Sequence, residues 1–173
     1  MTLRLSFGRI AAFHLAVLGA GLVIVSTADI WPLRVVYNAS ASVPLGWYAV
    51  GSADALAVGD LVVARPPLRA ERLLVERGYL ADGVPILKFV RARAGQTICR
   101  DGDKVTIDAS PVGMARDRDG AGRELPRWTG CRVLGPGEVF LFNESAPGSF
   151  DGRYFGPVSI NSIIGKATPL WTW

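Results

Sequence analysis

The chain has 173 residues, half of them hydrophobic and a fifth charged, with a formal net charge of +4. That balance excludes a disordered chain and leaves room for one domain with a real core plus an extra element. Outside the N-terminal segment the positive charge is weak and scattered, which excludes an electrostatic argument for a nucleic-acid partner.

In chain order, residues 10–28 (IAAFHLAVLGAGLVIVSTA) carry no charge. As a helix they extend about 29 Å, close to the thickness of a bilayer core. Arg4 and Arg9 precede them, which favours a cytoplasmic N-terminus and export of the rest; Trp31 and Tyr37 suit an interfacial belt. The expectation is a single-pass anchor in the cytoplasmic membrane, with residues 1–34 as tip and anchor and 35–173 as a periplasmic or extracytoplasmic domain. Two other readings stay open: a cleavable signal peptide ending at Ser26-Thr27-Ala28, and a buried helix of a soluble chain.

After residue 34 the pattern turns to short strands. Residues 47–50 and 60–65 are predicted strands, 69–79 (RAERLLVERGY) one surface helix, and 86–93 another strand. Residues 97–100 and 104–108 flank Asp101-Gly102-Asp103, a hairpin signal. Residues 110–127 are polar and Gly-rich, an irregular excursion. Residues 132–134 and 138–142 flank a second turn at Gly135-Pro136-Gly137, and 163–171 close the chain as a strand. With 20 Gly and 11 Pro to make turns, the predicted class is mainly β and antiparallel. Cys99 and Cys131 are too far apart for a CxxC or zinc-knuckle pattern. In an exported domain they would form a disulfide worth roughly 3 kcal/mol; otherwise they are two buried thiols.

The inventory of reactive residues narrows the chemistry. The single histidine, His14, lies inside the apolar stretch. A serine or cysteine triad with histidine, or a histidine zinc site, is therefore excluded from the exported part. No phosphate-cradling glycine loop is present. The remaining route to an activated hydroxyl is a lysine stripped of water. Of three lysines, Lys104 lies beside a polar turn and Lys166 follows Gly165, whereas Lys88 sits in VPILKFV. Strand alternation places Ile86, Lys88 and Val90 on one face. The plain alternative is an edge-strand lysine that discourages aggregation.

Three stretches resemble the boxes of the type I signal peptidases. ASASVPLGWY resembles the nucleophile box, in the SxPxGxY form of the conjugative-transfer, TraF-type branch. PILKFVRARAGQ resembles the lysine box, and SFDGRYFGPV the C-terminal box. The resemblance spans nearly the whole chain. It implies a compact antiparallel β catalytic domain with an apolar surface resting on the membrane. It implies Ser42 as nucleophile, Lys88 as general base and Ser40 as a donor to the oxyanion. Ser149 would orient the lysine, with Asp151 and Arg153 behind the site. Such a pair needs no cofactor and no metal.

Val43-Pro44 stands where the general secretory branch has a methionine, and Gly152 stands where many relatives carry serine. The first departure favours the conjugative branch, whose expected substrate is a pilin precursor or another exported transfer protein, with type IV secretion or transfer components as partners. Hydrolysis and pilin ring closure stay open as outcomes. A general secretory signal peptidase is the nearest alternative. A self-cleaving Ser-Lys repressor-type protease is more distant, and a non-catalytic anchored β module is the alternative of another class. For Asp151, a structural pairing with Arg153 or Arg91 stands beside a chemical role. Asn38-Ala39-Ser40 and Asn143-Glu144-Ser145 also match glycosylation acceptors.

Overall fold

The computed structural model describes residues 35–173 and, before them, His14 alone. The expected tip and anchor otherwise lie outside the described residues. Among the described residues no helix is long and apolar enough to cross a membrane.

Alternating apolar residues generate eleven short strands: β1 (Val35–Asn38), β2 (Gly46–Val50), β3 (Leu61–Ala64), β4 (Ile86–Arg93), β5 (Thr97–Asp101), β6 (Lys104–Ile107), β7 (Ser110–Met114), β8 (Gly130–Val133), β9 (Glu138–Leu141), β10 (Val158–Ser159) and β11 (Ile163–Thr172). Helix α1 (Leu68–Glu76) follows Pro66-Pro67 and buries Ala70 and Leu74, four residues apart on one face. A single helical turn, α2 (Gly152–Phe155), precedes β10, and a 3-10 turn (Ile160–Ser162) precedes β11.

Seven strands form one sheet in the order β1-β2-β11-β3-β4-β9-β10, and four form a second in the order β7-β6-β5-β8. Every strand pairing is antiparallel. Strands β3 and β4 feed both faces of the large sheet. Val62, Ala64, Ile86 and Val90 join Leu74, Leu141 and Val158 in one core, whereas Val63 and Leu87 pack with Val43, Tyr48, Val50 and Ala167 in another. The same alternation splits β9: Val139 and Leu141 enter the first core, while Phe140 enters the core of the small sheet with Ile98, Val105 and Leu134. Lys88 therefore stands on the face of Ile86 and Val90, where it lines a cleft beside the larger core.

One expectation for the second half changes: residues 110–114 are strand β7 rather than irregular chain, paired with β6. The Gly135-Pro136-Gly137 turn forms as expected. β8 pairs with β5 and β9 with β4, so this turn carries the chain from the small sheet to the large one. Cys99 and Cys131 are directly opposite on β5 and β8 and are disulfide-bonded. All four residues of β8 are exposed and β5 is its only partner strand among the described residues, so the bond secures an edge strand that burial does not hold.

Candidate active site

The Ser42 loop joins β1 to β2 and is held from several sides. Gly46 has φ +134°, and a Cβ there would come within 2.1 Å of the Trp171 carbonyl oxygen, so no other residue fits this bend. The buried Tyr48 hydroxyl donates to the Pro44 carbonyl at 2.7 Å. Asn38, also buried, sends its Nδ2 to the carbonyls of Ser40, Val43 and Pro44 at 2.8, 3.0 and 3.0 Å. Its Oδ1 accepts from the Ser40 N–H at 3.2 Å and the Ser40 hydroxyl at 2.9 Å. A loop this well bonded has little freedom to move its serines.

Lys88 enters from β4, only 4% exposed, and its Nζ donates to Ser42 Oγ at 3.1 Å. Burial is the main cause that lowers its pKa to about 8; Asp151 opposes the shift and Arg153 adds to it. Ser40 is exposed, and its Oγ lies 3.1 Å from Ser42 Oγ. Ser149 is buried in the same cleft lining. It makes no hydrogen bond to the lysine, and its Oγ has no partner.

Asp151 and Arg153 form an ion pair beneath the site, with Nη2 to Oδ2 at 2.8 Å and side chains 2% and 0% exposed for Arg153 and Asp151. Asp151 caps α2 through the Arg153 N–H and accepts from the Asn143 N–H at 3.2 Å. Arg153 also donates to the carbonyls of Ala146, Ser149 and Met114, and its guanidinium lies over the Phe142 ring at 4.7 Å. Arg91 pairs with Glu144 instead. Gly152 is explained by contact: a Cβ there would meet the Phe140 ring at 2.6 Å and the Leu141 carbonyl oxygen at 2.7 Å, so serine does not fit.

Sequence reasoning missed the residue that ties these pieces together. Asn143, fully buried at the end of β9, donates from Nδ2 to the Ser42 carbonyl at 3.0 Å and the Leu87 carbonyl at 3.3 Å. Its Oδ1 accepts the Phe89 N–H at 3.1 Å. One amide thus bridges the nucleophile loop and the lysine strand. Asn38 and Asn143 drew attention only as glycosylation acceptors, a reading that their burial and saturated amides exclude. The available signal was a polar amide abutting an apolar strand, EVFLF.

The cleft encloses about 560 Å³. Its inner end is formed by residues 40–42, Ile86, Lys88 and residues 145–150. Its outer wall comes from α1 and the chain after it, with Leu74, Tyr79 and Leu80, and from the segment between β7 and β8, with Arg116, Arg118, Asp119, Gly120 and Leu125. Asp119 links those two parts. It accepts from Arg77 at 3.2 Å, from Arg123 Nε at 2.8 Å and from the Tyr79 hydroxyl, and these donors, Tyr79 first, hold its carboxyl well below the usual carboxylate range. The polar excursion is therefore a structured wall of the cleft. Among the described residues no group of three or more His, Cys, Asp or Glu is arranged to hold a metal ion.

A dry lysine amine against a clamped serine hydroxyl, at the end of an open cleft, is the arrangement of a serine peptidase without histidine. Residues 7–173 match the family model for signal peptidase, peptidase S26, and the chain belongs to that family. Within it the chain is of the TraF type. It is 36% identical over 146 residues to a probable conjugal transfer protein TraF of Sinorhizobium fredii (strain NBRC 101917 / NGR234), covering 79% of this chain and 76% of that one. It is 35% identical over 148 residues to the conjugal transfer protein TraF of Agrobacterium fabrum (strain C58 / ATCC 33970), with 79% and 81% covered. A plasmid transfer protein TraF of Escherichia coli is 30% identical over 164 residues, 90% of this chain and 92% of that one.

Proposed function

We propose that the chain is a membrane-anchored serine endopeptidase that cuts the signal peptide from an exported conjugative-transfer precursor, a pilin precursor first among them. The observation that carries this reading is the 3.1 Å contact between Ser42 Oγ and the Nζ of a lysine that is 4% exposed. Neutral Lys88 accepts the Ser42 proton as Oγ attacks the scissile carbonyl. The Ser40 hydroxyl turns from Asn38 toward the developing oxyanion, joined by the Ser42 N–H. The Lys88 ammonium then protonates the leaving amine, and Lys88 next activates the water that releases the acyl group. An amine in place of that water would close a pilin ring. Asp151 and Arg153 act as structural supports, and Ser149 supplies a hydroxyl beside the lysine once substrate excludes water.

Two further observations support the setting. The relatives' names place TraF proteins in conjugal and plasmid transfer, which favours transfer precursors over general secretory ones. Next to the nucleophile loop lies an exposed aromatic face: Tyr37 stacks near Trp47 and Trp173 at 5.1 and 6.3 Å, and Trp171 and Leu170 are exposed beside them. Such rings suit a membrane interface. Incubating the purified protein with a candidate pilin precursor, wild type beside Lys88→Met, tests the reading by intact mass. Site-specific cleavage by the wild type alone, linear or cyclic, supports it. An unchanged precursor with both chains would leave the non-catalytic module.

A further inference from the structure

We infer that Arg116 is a specificity-determining residue that selects substrates bearing an acidic side chain near the scissile bond. The inference rests on the reading of the cleft as a peptide-cutting site.

Between residues 116 and 127 the wall carries four arginines and three acids. Each acid is already paired: Asp117 with Arg127, Asp119 with Arg123 and with Arg77 from the end of α1, and Glu124 with Arg118. Arg118 is further occupied by the Gly122 carbonyl at 2.7 Å. Arg116 is the arginine of this wall whose guanidinium has no partner among the described residues, and it lines the same cleft as Ser42 and Lys88.

Its base is not loose. The Arg116 N–H donates to the Tyr154 hydroxyl at 3.1 Å, and the Tyr154 ring stacks on Phe150, another lining residue, at 5.2 Å with an interplanar angle of 1°. Tyr154 in turn sits on α2, the turn capped by Asp151. The cation is thus tied to the framework of the Ser42–Lys88 pair while its head stays exposed in the cleft. A guanidinium in a partly enclosed groove, with its local acids already used, is matched by a carboxylate, which it can engage through two parallel hydrogen bonds. Truncating Arg116 leaves its backbone N–H bond to Tyr154 in place, so the fold does not depend on the side chain.

The test separates recognition from cutting. Full-length Ser42→Ala chain in detergent is titrated into ten-residue peptides of alanine and serine labelled with an uncharged dye. Each peptide carries one Glu, moved along the sequence, with Gln and Lys at the same position for comparison. Binding is read by fluorescence anisotropy. The Glu peptide should bind about tenfold tighter than the Gln peptide at one or two adjacent positions, as a charge-assisted pair requires. The preference should vanish in Arg116→Ala, persist in Arg116→Lys and turn toward the Lys peptide in Arg116→Glu. Equal binding of all three peptides at every position, or a preference that survives Arg116→Ala, overturns the inference. The catalytic reading is judged apart, with the active chain. If Glu peptides bind selectively and are never cut, the peptidase reading fails and the inference stands. If Glu and Gln peptides are cut equally well, the reverse holds.

Discussion

The two ends of the cleft handle charge in opposite ways. At the inner end, Lys88 is 4% exposed, bonds to a neutral hydroxyl and has no ion-pair partner among the described residues, since the nearby Asp151 is paired with Arg153. At the outer end, Asp119 gathers two arginines and a tyrosine between α1 and the excursion. Both are dense hydrogen-bond networks, so density of bonding does not distinguish a reactive site from a structural latch. A missing counter-charge does. Where solvent is excluded and no carboxylate touches the amine, the cost of charge falls on the amine and lowers its pKa. Where a carboxylate meets a guanidinium, as Asp119 meets Arg123, each partner favours the other's charge and the pair holds a wall in place.

That contrast can be broken most sharply at the inner end. Ser42→Ala and Lys88→Met should each lower cleavage of a precursor by at least ~10⁴-fold with an unchanged circular-dichroism spectrum. A variant retaining a tenth of wild-type turnover would dissolve the pair. Ser40→Ala should cost on the order of a hundredfold in kcat with little change in KM, because an oxyanion donor acts in the transition state. A pure rise in KM would assign Ser40 to ground-state binding.

Asn143→Ala should destabilise the fold by about 2 kcal/mol in urea unfolding, since it strands buried groups in two elements at once. A loss within error would mean that water or backbone shifts replace the amide. The smallest effect belongs to the outer end. Asp119→Asn should raise KM by roughly threefold and leave kcat alone, the signature of a displaced wall beside an intact pair. A matching fall in kcat would show that the two ends are not separable.

How much of this was legible follows from what each part depends on. The face shared by Ile86, Lys88 and Val90 needed only strand alternation, whereas the hold on the Ser42 loop by Asn38 and Tyr48 appeared only in the structure. The hairpin at Asp101-Gly102-Asp103 rested on local turn chemistry and formed as expected. Partners distant in sequence were not legible. Asn143 reaches Ser42 across 101 residues, and Asp119 meets Arg77 across 42. Neither pairing has a local signature, so a polar excursion read as irregular and a buried amide read as a surface acceptor. The Gly135-Pro136-Gly137 turn was legible, but its passage from one sheet to the other was not, because strand partners belong to tertiary pairing. Gly152 became intelligible only when the Phe140 ring occupied the space of its missing side chain.

Dryness lowers the Lys88 pKa so that the amine can be neutral near working pH, and its titration tests this most directly. The chain has three lysines, so selective ¹³Cε labelling yields three signals for NMR, and Lys88→Met identifies one of them. Because the folded amine gives up its proton near pH 8 rather than 10.5, folding stability should also rise with pH between those values, and activity should climb through about 8 as the base becomes neutral. One resonance should titrate near 8 and be absent from Lys88→Met. A Lys88 resonance that titrates near 10 would contradict the reading of Lys88 as a base.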